Sequence, residues 1–321
     1  MSEEILVPTP VPASGRTLLI SGATGFIGRH LVRRLRLKGD HCIVLTRNPT
    51  RARALLGPDV RVLENLGAVS ANTHIDALVN LAGARILGLP WTRARRRMLM
   101  ASRVETTQAF AALAARLDRP PRVLISASAI GYYGIHGDEV LDEQTPPQPI
   151  FQSQLCQEWE RAADAAAVHG VRVVTLRFGL VLGRDGGALP SLVRPVRMGL
   201  GAIIANGHQW MSWIHIDDAI NLIDFCLHDV ELRGAVNAVA PQAVTQRAFQ
   251  EQLARLWHRP LWLKIPGSVL RLALGEMAQL LVDGQRVIPK RATAAGFHFQ
   301  YPNLDAALRD LLAPAAMANR R

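Results

Sequence analysis

The apolar run TLLIS at 17–21 stops in a glycine, and two more follow at fixed spacing: Gly22, Gly25 and Gly28 in SGATGFIG. Ile27, Leu31, Val32 and Leu35 then recur at helical spacing, and Gly39 supplies a stop. A strand, a glycine turn and a helix in that order leave few folds open. Glycine brings backbone N–H groups against a pyrophosphate, and the helix N-terminus adds partial positive charge. A second apolar run at 42–46 completes the order that a dinucleotide-binding βαβ unit requires.

The same alternation continues along the chain. Strands are predicted at 17–21, 42–46, 60–64, 77–80, 123–126 and 171–177, with helices over 27–38, 98–117 and 154–168. Strands that read as continuous apolar runs are buried on both faces, which means a parallel sheet covered by helices. The reading is an α/β fold, a doubly wound parallel sheet over residues 16–183. Residues 1–15, with two glutamates and three prolines, read as a flexible N-terminal tail. Residues 184–321 read as a smaller substrate-side domain carrying amphipathic helices over 247–257 and 269–281.

Composition removes other classes. No apolar run approaches the roughly 20 residues that cross a bilayer, so no membrane association is expected. The 3 cysteines, Cys42, Cys156 and Cys226, are far apart with no Cys-x-x-Cys, so neither a metal site nor a disulfide framework is expected. Unpaired thiols and an N-terminus without a signal pattern point to the cytoplasm. Net charge is +11, and of the 37 basic residues all but Lys38, Lys264 and Lys290 are arginine. The densest cluster, Arg93, Arg95, Arg96 and Arg97, has only Trp91 beside it, and no helix-turn-helix or stacking platform accompanies it. It reads as a solvated helix face, so the expected partner is a small molecule rather than nucleic acid. A homodimer stays open.

The end of the second strand selects the cofactor. A site for NAD carries Asp or Glu about 20 residues past the glycines, bonded to the ribose hydroxyls. Here Thr46 and Arg47 stand at that place and no acid follows before Asp59. A guanidinium pairs with a 2′-phosphate or stacks on adenine, and the former favours NADP(H) over NAD(H).

SGATGFIG, NLAG at 80–83, SASAIGYYG at 126–134, RFGLVLG at 177–183 and WIHIDD at 213–218 together resemble the extended short-chain dehydrogenase/reductase superfamily. WERAA, GLVLGRDGGALP, GHQWMSWIHIDD, VNAVAP and GQRVIPKR resemble its atypical "epimerase family" branch, the sugar-nucleotide-epimerase-like proteins with an extra C-terminal domain. The resemblance implies a Rossmann-type cofactor lobe, a smaller C-terminal substrate lobe and a cleft between them. By motif, Gly22, Thr24, Gly25, Phe26, Ile27 and Gly28 would cradle the pyrophosphate, and Thr46 with Arg47 would meet the adenosine phosphate. Leu81, Ala82 and Gly83 would lie along the adenosine ribose. Arg103 stands where typical members place an asparagine facing the cofactor, and there it would add phosphate recognition.

The chain departs from this pattern where chemistry is concerned. The superfamily's reaction uses Ser or Thr with Tyr-x-x-x-Lys, yet none of the 3 tyrosines here has a lysine four residues on. Gln152 and Cys156 occupy the positions of that pair, and neither copies its acid–base work. Ser128 takes the place of the serine, and Tyr132 or Tyr133 is the replacement phenol, or one of them packs. Ser126 is read as core, on the opposite side of the strand from Ser128. Leu180 replaces an asparagine that contacts sugar-nucleotide diphosphates in relatives, which argues against such a substrate; it would instead line the nicotinamide pocket.

On the substrate side, His208, Gln209, Trp210 and Trp213 are candidate walls for a small organic ligand. His215, Asp217 and Asp218 are read as structural, with an aspartate capping the next helix. Arg286 reaches an anionic substrate or makes a surface ion pair. The expectation is an NADP(H)-dependent oxidoreductase or epimerase acting by hydride transfer on a small carbonyl or alcohol. The alternative is a cofactor-binding sensor or scaffold without catalysis.

Overall fold

The structure is a computed structural model that describes residues 15–313 apart from residue 89. Seven strands form its main sheet: β1 (Thr17–Ser21), β2 (His41–Leu45), β3 (Arg61–Leu63), β4 (Ala77–Asn80), β5 (Val123–Ala129), β6 (Arg172–Phe178) and β7 (Gly234–Ala238). They lie in the order 3-2-1-4-5-6-7, and every neighbouring pair is parallel. The order reverses between β1 and β4, and such a switch point opens a crevice at the carboxyl ends of the strands.

The helices that matter for that crevice are α1 (Phe26–Leu37), α2 (Pro49–Leu56), α3 (Arg93–Arg116), α4 (Phe151–Asp164) and α5 (Ile216–His228). Successive side chains of a strand point to opposite faces, and β1 shows it. Leu18 and Ile20 join Leu31 and Leu35 of α1 and Leu222 and Ile223 of α5 in one core. Leu19 joins Leu78, Leu124, Phe110 and Ala163 in another. All three β1 side chains are wholly buried, each stabilising the fold by about 2 kcal/mol through apolar burial. Helices therefore cover both faces of the sheet, as continuous apolar strands require.

Several boundaries differ from the sequence reading for physical reasons. The fifth strand runs on through Ser128, because the small side chains of Ser126, Ala127 and Ser128 pair with Thr175, Leu176 and Arg177 of β6. Residues two apart on a strand share a face, so Ser126 and Ser128 point the same way rather than oppositely. Helix α3 starts at Arg93, where the Thr92 side chain caps it by accepting from the Arg95 N–H. The predicted helix over 269–281 is three short turns, Gly267–Leu274, Gly275–Ala278 and Gln279–Val282, broken at Gly275 with φ of 56°.

The largest difference concerns the second lobe. Strand β7 lies beyond residue 183 in sequence yet completes the main sheet beside β6, and α5 packs on α1. The sheet-forming part of the chain is therefore discontinuous, interrupted by the segment from 179 to 215. In that segment Leu180–Gly183 pairs with Trp213–His215, and Ala202–Ile204 pairs with Leu263–Ile265. Arg286–Val287 pairs with Val140–Leu141, which ties the C-terminal lobe to the loop after β5. Among the described residues no helix is long and apolar enough to cross a membrane.

Candidate functional site

The glycine turn joins β1 to α1 at the switch point. Gly22 has φ of 69°, a conformation that side chains disfavour, and a Cβ on it would stand 2.5 Å from the Leu81 carbonyl oxygen. A Cβ on Gly28 would strike the Gly22 carbonyl and Ala23. The first glycine thus lets β1 and β4 close on each other, and the third lets α1 sit on the turn. Gly25 differs: it is exposed, and its Cβ would meet nothing nearer than the Gly22 oxygen at 3.1 Å. It is also the N-cap of α1, with no side-chain cap and no acidic residue in the first turn. A helix start left without caps or acids keeps its N–H groups and partial positive charge for an anion, and a dinucleotide diphosphate fits it.

The flanks of the turn are held by buried polar contacts. Ser21 Oγ donates to Asn80 Oδ1 at 2.5 Å, Asn80 Nδ2 donates to Thr107 Oγ1 at 2.7 Å, and the Ala82 N–H reaches Asn80 Oδ1 at 3.3 Å. One asparagine thus locks β1, the 81–83 loop and α3 together. Phe26 spends its ring elsewhere than on a ligand: Cβ atoms on Gly183, Gly186 or Gly187 would all collide with it. Its side chain pins the second lobe to α1, and only its backbone remains for phosphate. Ile27 and Leu180 pack against the main core. Thr24 is half-buried in the turn.

At the end of β2, Thr46 Oγ1 accepts from the Asn48 N–H at 3.2 Å, and Asn48 caps α2 by accepting from the Arg51 N–H. Arg47 is exposed and makes no ion pair among the described residues. The α2 N-terminus also lacks acids in its first turn. Arg51 is a residue the sequence reading missed; the signal was Asn-Pro-x-Arg, a capped helix start with a cation in its first turn.

Arg103 lies on the other side of β1. It belongs to α3, between β4 and β5, so topology separates it from Thr46 and Arg47 at the end of β2, and it is not a second guanidinium beside them. Its Cζ would be 3.3 Å from a Cβ on Gly83, which puts the guanidinium directly behind the 81–83 loop. The side chain is 8% exposed and donates to Leu99 O at 3.1 Å and Ala84 O at 3.0 Å.

Beyond β5 the structure places the candidate proton apparatus in a buried ionic chain. Ser128 Oγ donates to Glu160 Oε1 at 2.6 Å. Arg177 holds the same carboxylate with two bonds of 2.8 Å and reaches Tyr133 Oη at 3.1 Å. Tyr133 Oη donates to Asn237 Oδ1 at 2.6 Å, and Asn237 Nδ2 donates to Ile288 O. Glu160 outweighs the opposing effect of burial on Arg177 and holds its guanidinium above the ordinary value. Tyr133 is wholly buried, and burial pushes its phenol up to about 12. Buried and bonded to Asn237 and Arg177, it is a strut between β6, β7 and the C-terminal lobe. Tyr132 is half-buried, with the Arg177 guanidinium 3.4 Å from its ring centroid. Ser126 is wholly buried and bonds only to its neighbour, Ala127 O at 3.4 Å.

Gln152 and Cys156 lie against Gly131, just after β5. Gln152 is 3% exposed and its Oε1 has no partner. Burial pushes the Cys156 thiol up to about 12, so it stays neutral.

The substrate-side candidates divide. Trp213 is wholly buried in the core, which takes it out of any cleft wall. Gln209 Nε2 donates to Ile204 O and Leu281 O, both at 3.1 Å, so its amide binds two backbone segments together. His208 is exposed. Trp210 is half-buried; its Nε1 donates to Asp138 Oδ1 at 2.7 Å, and Arg286 stacks on its ring at 4.5 Å. His215, rather than an aspartate, caps α5 by accepting from the Asp217 N–H, while Asp218 accepts from the Gln300 and Tyr301 N–H groups. Burial lowers His215 and raises Asp218, the response of groups held in the interior.

A cavity of about 760 Å³ opens at the opposite end of the sheet, beside Arg122, Arg172 and Arg233. The carbonyl ends of helices point there, and Arg172 already donates to Cys226 O and Leu232 O, so it is no place for a diphosphate.

Comparison with known proteins agrees with this geometry. Residues 18–238 match the model of the NAD dependent epimerase/dehydratase family, and residues 265–311 match a domain of unknown function (DUF1731). The chain is 36% identical over 298 residues to the epimerase family protein YfhF of Bacillus subtilis, covering 92% of this chain and 98% of that one. It is 37% identical over 305 residues to the chloroplastic epimerase family protein SDR39U1 homolog of Arabidopsis thaliana, covering 93% and 87%. The crystal structure of human epimerase family protein SDR39U1 (isoform 2) with NADPH superposes with a TM-score of 0.82 at 33% identity, covering 92% and 98%.

Proposed function

The chain belongs to the NAD-dependent epimerase/dehydratase family, and from that premise we propose that it binds NADP(H) and works by hydride transfer on a small carbonyl or alcohol compound. The glycine turn carries this reading: its backbone closes on β4 while the start of α1 is left uncapped beside an exposed Gly25. The human relative was crystallised with NADPH, and Arg47 with the start of α2 offers positive charge to the extra phosphate. When bound, the nicotinamide supplies or accepts the hydride.

The residues of the chain then have separable tasks. Gly22, Gly25 and Gly28 admit the diphosphate, and Thr46, Arg47 and Arg51 hold the adenosine end. Ser128 offers a hydroxyl fixed by Glu160, and Tyr132 is the phenol left to exchange a proton with the substrate oxygen. Arg177 is a positioning residue for both: it anchors Glu160 beneath Ser128 and stacks beneath Tyr132. Leu180, an apolar side chain at the strand end, suits a nicotinamide face better than a sugar diphosphate.

A second reading is a cofactor-binding sensor or scaffold. The observation that favours it is the neutral pair Gln152 and Cys156, together with a Ser128 hydroxyl already committed to Glu160. One experiment separates the two. NADPH deuterated at the transferable carbon, in both stereochemical forms, is incubated with the protein and a small-molecule cell extract. A metabolite labelled only in the presence of wild-type protein supports the enzyme and names its substrate. Confirmed NADPH binding with no labelled metabolite supports the sensor, or an epimerase that returns its hydride to the molecule it came from.

A further inference from the structure

Among the described residues two arginines are almost fully buried, Arg103 and Arg177, and they are treated differently. Arg177 faces the Glu160 carboxylate with two bonds of 2.8 Å. Arg103, at 8% exposure, has no carboxylate partner among the described residues; its donors reach Leu99 O, Ala84 O and, at 3.5 Å, Ser102 Oγ. A buried cation compensated only by neutral oxygens is costly to keep. Its surroundings do not help. Burial lowers its pKa below the ordinary value, and nearby Arg95 adds to that effect. Cys156 is a neutral thiol, and Trp159 offers only its ring at 5.1 Å.

A second observation points to a missing partner. Arg95 donates through Nη2 to Arg85 O, but its Nε is buried and bonds to nothing. Arg95 and Arg103 therefore hold the same stretch, residues 84–85, from one helix, and Arg95 keeps a buried donor without a partner among the described residues. Two cations thus brace the chain just past the carboxyl end of β4, on the β5 side of the switch point. The diphosphate has its own donors at the start of α1, and the 2′-phosphate has Arg47 across β1.

Building on the cofactor reading above, we propose that Arg103 and Arg95 form the receptor for an anionic group, carboxylate or phosphate, carried by the substrate. The site would then select small acids over neutral carbonyl compounds. The guanidinium is presented as a planar set of donors, which matches a carboxylate or phosphate edge. Arg95, from a run that looks solvated in sequence, thus joins Arg103 in a specificity device facing inward.

The test is isothermal titration of the NADPH-saturated protein with oxalate and inorganic phosphate, with neutral oxamide as control. Wild type is expected to bind at least one anion saturably and oxamide not at all. R103M is expected to weaken the anion about tenfold or more while NADPH affinity changes by less than about threefold. R103K keeps the charge and guards against misfolding: it is expected to retain part of the anion binding. The same titration on R95M is expected to weaken the anion as well. The proposal is overturned if wild type binds no anion, or if R103M binds it as well as wild type. It is overturned equally if R103M loses NADPH about tenfold, which assigns Arg103 to the cofactor's own diphosphate. Should wild type fail to bind NADPH, the cofactor reading falls, and titration of the cofactor-free protein decides this proposal on the same anion criterion.

Discussion

Glu160→Gln is the sharpest perturbation of the buried ionic chain. It preserves shape and leaves an oxygen to accept from Ser128, but it removes the charge that faces Arg177. Side-chain exposure is 4% for Arg177 and 11% for Glu160, so water gives little relief. With an effective dielectric near 20 and charge centres about 4 Å apart, the lost attraction is about 4 kcal/mol. Removing one partner of a buried pair costs a similar amount, about 3–5 kcal/mol, because the other charge stays buried and uncompensated. Replacing both charges, as in E160M/R177M, removes the uncompensated charge and should leave stability within about 2 kcal/mol of wild type. Urea unfolding followed by far-UV circular dichroism measures all of these, with E160M and R177M completing the cycle. The reasoning is refuted if E160Q costs less than about 1 kcal/mol, or if the double variant loses the sum of the two Met single variants.

Other expectations follow from the same geometry. G22A, with φ of 69° and a Cβ 2.5 Å from Leu81 O, should cost about 2–4 kcal/mol in the same urea assay. G25A, which meets nothing closer than 3.1 Å, should stay within about 1 kcal/mol of wild type yet weaken NADPH about tenfold or more. Asp40 is opposed by burial but held below its ordinary value by Arg16, so its stabilisation is complete above pH about 4 and disappears as pH falls through the lowered value. D40N should flatten that part of the acid limb in a stability-versus-pH series. Cys42, Cys156 and Cys226 are buried and each is pushed up to about 12, so an aromatic disulfide reagent at pH 8 should find no fast thiol until urea exposes them.

What sequence made legible was mostly local. The turn at 22–28 lies wholly within one strand–helix unit, and β1 and β4 fall where their apolar runs stop. Thr46 and Arg47, proposed for the adenosine end of the cofactor, sit on contiguous residues at the end of β2. Less visible were elements whose identity comes from distant neighbours. GAVNA becomes β7 because β6 offers an edge, although glycine and alanine give it little strand character alone. ASA in β5 is a strand because it lies between paired neighbours. Tyr133 looked like a candidate phenol because its partner, Asn237, is 104 residues away in sequence. Trp213 stood in a stretch that looked like a ligand wall, yet it packs in the core, while Arg95 stood in a run that looked solvated and its Nε is buried. In each case the side chain's chemistry was visible in sequence and its burial was not.

The central claim is that this cleft takes NADP(H) with the extra phosphate at Arg47. Calorimetric titration of wild type and R47A with NADPH and with NADH tests it directly. Wild type should prefer NADPH, and R47A should lose about 1–3 kcal/mol toward NADPH, roughly tenfold to a hundredfold, while NADH is nearly unchanged. Equal losses for both cofactors, or a wild type that binds NADH as tightly as NADPH, would contradict the account.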